Sequence, residues 1–344
     1  MPLAVGMDIG GVNIKATLVE TAGDQLIRHR VFYHPLEIWR DPQSIRGIFQ
    51  QIAREWGEGL PLAVTMTAEL SDAFRTKREG VHFILDCVQQ AFPASPVRIL
   101  DVNGHLIGLR EARVSPLRVA AANWVATAAL AGRFYPYSLL VDVGSTTTDI
   151  IPIIDRHPAS LGKTDLDRLQ AGELVYTGVL RSNINTIACR IPVKGQLAST
   201  AAECFAISAD VHLLLDHISP DEYTCPAPDG RSKTKEGAAV RLARVVCADP
   251  EILSLDHVTQ IARYIYEKQL QRISEGILQV LSRTACDPKP VLVAAGLGAF
   301  MAAACGQRLG LEVRQLARHC SQEAAVAAPS FALAYLLASE GGRQ

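Results

Sequence analysis

Short apolar runs bounded by turn residues alternate with segments of helical period along this chain, and the alternation predicts an α/β protein. Residues 139–143 form an apolar run broken only by Asp142, followed by Gly144, Ser145, three threonines, Asp149 and a second apolar run at 150–153. That order predicts a buried strand, a glycine turn and a returning strand, with hydroxyls and two carboxylates at the bend. Residues 4–20 repeat the design: an apolar strand, Asp8, Gly10-Gly11, the polar Asn13 and Lys15, and a returning strand. Beyond the first hairpin the pattern predicts a third strand at 25–32 and a helix at 42–56 with Ile45, Ile48, Phe49, Ile52 and Ala53 on one face. A strand at 60–68, a helix at 77–92, a strand at 97–101 and a turn at Asn103-Gly104 follow. A helix opening at Pro116 and ending at Gly132 completes the first half. In the second half, residues 155–200 are irregular. Helices are expected at 201–215, 233–247 and 255–284, then a strand ending in Gly296 and Gly298, a short helix, a strand at 311–315 and a helix at 322–337. A single division gives an N-terminal domain of 1–132 and a C-terminal domain of 133–344, each opening on or near its hairpin.

Composition narrows the class. The chain has 344 residues, 49% hydrophobic and 20% charged, enough for two domains with substantial cores. A net charge of −1 offers no field for nucleic acid or membrane. No leader and no uninterrupted membrane span is visible, and the eight cysteines, among them Cys286, show no Cys-x-x-Cys spacing. They are expected to be reduced, and the protein cytoplasmic. Self-association stays open.

The hairpins point to phosphate chemistry. Gly10, Gly11 and Gly144 would let backbone N–H groups approach an anion, and Ser145, Thr146 and Thr147 add hydroxyl donors. Lys15 would serve as a point charge. Asp142 and Asp149 could hold the hard cation that a phosphate brings with it. Residues 66–81 place Thr67, Glu69, Asp72, Arg75, Lys77 and Arg78 just beyond a buried strand, where open α/β sheets bind ligands. Residues 172–183 add Glu173, Tyr176 and Arg181; residues 223–237 add Asp229, Arg231, Lys233 and Lys235, in a surface linker or a loop ordered by a ligand. No histidine is spaced with a serine or cysteine as a nucleophilic pair, and His82 and His212 are expected to be structural.

Two Asp-x-Gly hairpins 134 residues apart resemble the actin-like superfamily of sugar kinases, acetate kinases and heat-shock chaperones. The implied fold is two-lobed α/β with paired phosphate-binding β-hairpins, and in such proteins a glycine turn like Gly296–Gly298 lies against an adenosine. The segments MDIGGVNIK, MTAELSDAFRTKREGV, AAANWVA, LLVDVGSTTTDIIPI, GELVYTGVLR, AAECFAISADV and YTCPAPDGRSKTKEGAAVRLAR are, in that order, similar to a hydantoinase/oxoprolinase-related family. That family, the tetrahydromethanopterin-linked one-carbon transfer pathway protein, includes archaeal furanylmethanamine ether synthases of methanofuran assembly. The resemblance runs from Met7 to about Pro250 and more weakly beyond. Val12 departs from it, standing where related hairpins often carry Thr or Ala.

The resemblance implies a transferase of methylofuran or methanofuran biosynthesis. It would join an aminomethylfuran-methyl diphosphate to the phenol of a glutamyl-tyramine or tyrosine-like acceptor, with release of diphosphate. It implies Mg²⁺ at Asp8, Asp142 and Asp149, one of which would also serve as base. Gly10, Gly11, Asn13, Lys15, Gly144, Ser145, Thr146, Thr147, Arg181, Lys233, Gly296 and Gly298 would bind the diphosphate substrate. Glu69 would pair with the substrate's ammonium, Asp72 being second choice. The hairpins by themselves also suit an ATP-dependent small-molecule kinase, or a non-catalytic nucleotide-binding protein of the same fold. Turnover of an organic diphosphate without ATP separates the first reading from both.

Overall fold

The computed structural model describes residues 2–57, 59–284 and 289–341. In chain order the elements begin with β1 (Leu3–Ile9), β2 (Asn13–Ala22), β3 (Gln25–Pro35), α1 (Ser44–Trp56), β4 (Leu62–Met66), α2 (Lys77–Ala91), β5 (Val97–Leu100), β6 (Leu106–Gly108), α3 (Leu109–Val114) and α4 (Asn123–Phe134). Next come β7 (Ser138–Val143), β8 (Thr148–Ile154), β9 (His157–Pro158), α5 (Asp165–Gln170), β10 (Leu174–Val175), α6 (Ile184–Ile187), β11 (Arg190–Val193), β12 (Gln196–Ser199), α7 (Ser208–Leu214) and α8 (Lys235–Arg244). The chain finishes with α9 (Leu255–Leu281), β13 (Val291–Ala295), α10 (Ala299–Arg308), β14 (Val313–Gln315), α11 (Gln322–Val326) and α12 (Ala328–Gly341).

These elements form two compact units: one of residues 1–140, 151–170 and 315–344, the other of 141–150 and 171–314. A single cut at 132/133 divides the chain differently, because 151–170 and the C-terminal helices return to the first unit.

The first unit is built on a sheet in the order β3-β2-β1-β4-β5-β6. β1 pairs antiparallel with β2 and parallel with β4, and β4 pairs parallel with β5. One face is covered by α1, whose buried residues Ile45, Ile48, Phe49, Ile52 and Ala53 recur at helical spacing, and by α2. α2 starts where Thr76 Oγ1 accepts the Glu79 N–H at 3.2 Å. α12 packs on β1, β2 and β4, with Phe331, Leu333 and Ala334 buried. Thr17 and Ser330 share a hydroxyl hydrogen bond at 2.8 Å, and at Gly6 a side chain would collide with the Ser330 carbonyl.

A second sheet runs in the order β10-β8-β7-β13-β14, with β9 against β8, and β11 and β12 form a separate ribbon. A helical cluster of α6, α7, α8 and α9 has its own core, including Ile184, Val211, Leu242, Ile261 and Ile265.

Three expected helices differ. The helix expected at 116–132 is a 3₁₀ turn (Pro116–Arg118) followed by α4, because Ala120 bridges to Met66 and Ala121 takes φ 51°, which no α-helix admits. The helix at 201–215 shortens to α7, whose start is set by the Ile207 N–H donating to Asp210 Oδ2 at 3.1 Å. The C-terminal helix is two, α11 and α12, meeting at Ala327. Cys286 lies outside the described residues; the other seven cysteines are free thiols. No described helix is long and apolar enough to cross a membrane.

Candidate functional site

In the first unit, the β1–β2 hairpin closes with the Gly10 N–H donating to the Asn13 carbonyl at 2.9 Å. Asp8 and Lys15 stand directly opposite each other across the two strands, so their side chains share a face. Asp8 is 6% exposed. The Lys15 ammonium donates at 2.8 Å to the Val326 carbonyl, the last residue of α11, where a cation meets the negative end of a helix. That bond uses one of its three donors. A Cβ on Gly10 would lie 3.0 Å from the Asn13 carbonyl and 3.7 Å from Thr67 Oγ1, whereas one on Gly11 would meet nothing within 4 Å. Neither glycine has a positive φ. Gly11 therefore keeps space open beside the hairpin rather than permitting the turn.

Thr67 is tied to this hairpin by its N–H, which donates to the Ile9 carbonyl at 2.9 Å. Two residues later, Glu69 sits in a 3₁₀ turn (Ala68–Leu70) at the C-terminal edge of β4 and is 1% exposed. Among the described residues, neither carboxyl oxygen has a hydrogen-bond partner. The N–H groups of Glu69 and Ala121 come near enough to favour the charge without reaching hydrogen-bond geometry. Burial dominates and pushes the Glu69 carboxyl up to about 8. α2 crosses so closely that a Cβ on Gly80 would lie 2.6 Å from Glu69 Cα. One turn before Gly80, Lys77 pairs with Asp165 of α5 at 2.7 Å. The Glu69 carboxyl thus lies near an ammonium that is already engaged. Asp72, its expected alternative, is exposed, as are Arg75 and Arg78.

In the second unit, the β7–β8 hairpin closes with the Gly144 N–H donating to the Thr147 carbonyl at 2.9 Å. Its tip is gripped from behind. The Val179 N–H donates to the Gly144 carbonyl, and the Leu180 and Arg181 N–H groups donate to that of Ser145, at 2.9–3.0 Å. Gly178 presses on the tip so closely that a Cβ would lie 2.6 Å from the Thr146 nitrogen. Ser145, Thr146 and Thr147 remain half-buried, as do Asp142 and Asp149. Arg181 and Lys233 both lie near the Cys225 thiol, and each works against the rise that burial imposes on its pKa. The Lys233 ammonium donates to the Tyr223 carbonyl at 2.7 Å. The structure therefore brings Arg181 and Lys233 together at Cys225, while the Arg181 backbone N–H holds the Ser145 carbonyl.

Gly296 and Gly298 serve the hairpin by packing. A side chain at Gly296 (φ 80°) would collide with Asp142 Oδ1, and one at Gly298 would lie 2.5 Å from Val143 Cγ1 and 2.6 Å from Val179 Cγ2. Glu173 is fully buried and paired with Arg283 at 2.6 Å, while Tyr176 is exposed. Among the described residues, no group of three or more His, Cys, Asp or Glu stands in metal-holding geometry.

Behind the tip runs a polar network that the sequence reading missed. Thr148 Oγ1 donates to the Thr177 carbonyl at 2.8 Å. The Gln269 amide donates to Thr177 Oγ1 at 2.9 Å and to the Gly178 carbonyl at 3.0 Å. Gln269 Oε1 contacts His212 Nε2 at 3.1 Å, and His212 Nδ1 contacts His217 Nδ1 at 3.0 Å. Burial depresses His212 to about 3, so it is a neutral structural ring. The 223–237 loop is ordered by protein groups: buried Arg241 binds Asp210 at 2.8 Å and Asp229 at 3.1 Å, and Tyr223 donates to Asp210 at 3.1 Å. The partners lie too far apart in sequence to be paired by inspection.

Residues 62–340 match the hydantoinase/oxoprolinase family. The chain belongs to that family. It is 37% identical, over 97% of both chains, to the (4-{4-[2-(gamma-L-glutamylamino)ethyl]phenoxymethyl}furan-2-yl)methanamine synthase of Methanocaldococcus jannaschii. It is 34% identical to the protein of that name from Methanococcus vannielii, over 59% of this chain and 91% of that one. A nucleotide-free acetone carboxylase structure, from a study of ATP-dependent acetone carboxylation, superposes with a TM-score of 0.55 at 11% identity, over 97% of this chain and 70% of that one. At that identity the likeness is one of fold: this family member is an α/β protein of the actin-like class.

Proposed function

We propose that the chain is the ether-forming transferase of a methanofuran-type cofactor. It moves an aminomethylfuran-methyl group from its diphosphate to the phenolic oxygen of a glutamyl-tyramine or tyrosine-like acceptor. The observation that carries this reading is the 37% identity, over 97% of both chains, to a synthase whose name describes that product. In the reaction the methylene–oxygen bond to diphosphate breaks, and diphosphate leaves with the electron pair. The phenolic oxygen forms the new bond and its proton passes to a base. The furan oxygen stabilises positive charge on the methylene, so the protein's main task is to neutralise the leaving diphosphate.

The second unit supports that task with the hydroxyls and N–H groups of Ser145, Thr146 and Thr147 and the nearby cations Arg181 and Lys233. Taken by itself, the first unit offers phosphate-suited features of its own: the open space at Gly10-Gly11, Asn13 and the Lys15 ammonium. Mg²⁺ suits Asp142 and Asp149, because it needs only one or two carboxylates and completes its shell with phosphate oxygens and water. Gly296 preserves the room that the Asp142 carboxylate occupies. When bound, Mg²⁺ would supply charge neutralisation to the diphosphate. Asp8, buried opposite Lys15, is the acid that the first hairpin offers by itself.

The test is to incubate the protein with an aminomethylfuran-methyl diphosphate, tyramine or γ-glutamyl-tyramine, and Mg²⁺. Equimolar ether and diphosphate are expected without ATP, and chelation by EDTA should abolish both. Turnover that requires ATP, yielding ADP and a phosphorylated acceptor, would make the protein a kinase instead.

A further inference from the structure

Glu69 is a buried acid whose fold denies it a partner. It is 1% exposed, neither oxygen is hydrogen-bonded among the described residues, and Gly80 lets α2 close over it. The charged groups that face it are Lys77, from the first turn of α2, and Asp165, from the first turn of α5. Those two are paired with each other at 2.7 Å, so their fields on Glu69 oppose one another. From the segment before α4, the Ala121 N–H approaches, on a backbone held at φ 51°. The turn that carries Glu69 leaves the C-terminal edge of β4, beside Thr67 and the Gly10-Asn13 hairpin. That edge is where open α/β sheets bind their ligands.

A carboxylate ionised in this position would be a desolvated charge without compensation, which is costly. Burial accordingly pushes the group up to about 8, so at neutral pH it holds its proton. A primary alkylammonium offers three N–H donors and a full positive charge, and so provides what both oxygens lack. We propose that Glu69 is a proton-exchanging amine receptor: a neutral acid in the free protein that releases its proton to solvent as a primary alkylammonium binds beside it. The exchange balances as R–NH₃⁺ plus Glu69–COOH giving the R–NH₃⁺/⁻OOC–Glu69 pair plus H⁺. The proposal rests on the ether-synthase reading for the identity of the amine, the aminomethyl group of the furan. It adds that amine recognition is coupled to proton release. Donor affinity should therefore rise with pH up to about 8.

Isothermal titration calorimetry in phosphate and Tris buffers counts the protons released on binding. Two probes are used with the intact protein: the aminomethylfuran-methyl diphosphate and its analogue with a methyl in place of the aminomethyl group. At pH 7 the amine-bearing probe should release about 0.9 proton more than the analogue, and the difference should fall towards zero by about pH 9. Glu69→Gln should erase the difference and remove at least about tenfold of the preference for the amine, a gap of roughly 1.4 kcal/mol. Equal proton release by the two probes on the wild-type protein would overturn the proposal whether or not the variant folds. So would a Glu69→Gln protein that keeps the amine preference. If both probes bind and are turned over with equal proton release, only this inference falls. If neither binds, the ether-synthase reading falls with it.

Discussion

At the scale of the residue, Glu69 sets stability against readiness. An acid whose pKa rises on folding gives up stability as pH climbs between its unfolded and folded values. For Glu69 that window runs from 4.5 to about 8. Below it the carboxyl is protonated in both states and its burial carries no ionic cost. Across it the unfolded chain loses the proton while the folded chain keeps it. Glu69→Gln removes the titration, so the variant should gain on the wild type as pH rises from 5 to 8, by roughly several kcal/mol at most. Thermal unfolding of both proteins at those two pH values checks this; a gain equal at both would mean that Glu69 does not titrate in the window. Lys15 and Lys233 show the opposite economy at this scale: each is anchored by a carbonyl, which aims the ammonium while leaving two of its donors.

At the scale of the element, the two hairpins look alike in sequence but are supported differently. Around Gly11 there is open space, whereas the second hairpin's tip is backed by Gly178 and three N–H groups. Two glycine substitutions should therefore separate. Gly11→Ala should leave the unfolding midpoint within about 0.5 kcal/mol of wild type, as substitutions away from packed features do. It should weaken diphosphate binding by filling the space the anion needs. Gly178→Ala should destabilise by about 1–3 kcal/mol, because the added methyl overpacks against backbone that three hydrogen bonds hold in place. Chemical denaturation with a diphosphate-binding titration on each variant reads both effects; a destabilised Gly11→Ala or a neutral Gly178→Ala would contradict the assignment.

At the scale of the whole molecule, the first unit is assembled from both ends of the chain. Residues 315–344 belong to it, and α12 lies on β1, β2 and β4 with Phe331, Leu333 and Ala334 buried. A chain truncated after Val326 would expose the apolar surface that α12 covers, and each large side chain so exposed forfeits about 1.5–3 kcal/mol. The truncated protein is expected to lose protease resistance in residues 1–140 during a timed digestion. Survival of that region as a resistant fragment would show that α12 is dispensable to it.

The local pattern of the chain was sufficient to determine the elements that carry their own information. Both Asp-x-Gly hairpins were legible because strand, glycine turn and returning strand are contiguous in sequence. So was α1, whose buried face repeats at helical spacing. The order of seven segments was enough to indicate the family, because such order needs no contacts to read. Glu69 could be singled out by its place after a buried strand, but not its isolation, which depends on Gly80 closing over it and on Lys77 turning to Asp165, 88 residues away. The break before α4 could not be foreseen, since an alanine-rich run favours helix until the bridge from Ala120 to Met66 and the left-handed Ala121 override it. Nor could the network behind the second hairpin, whose Gln269 reaches Thr177 across 92 residues. Local periodicity reports which side chains are apolar and which way they repeat. It carries nothing about which distant polar groups will be desolvated together, and only the packed tertiary structure decides that.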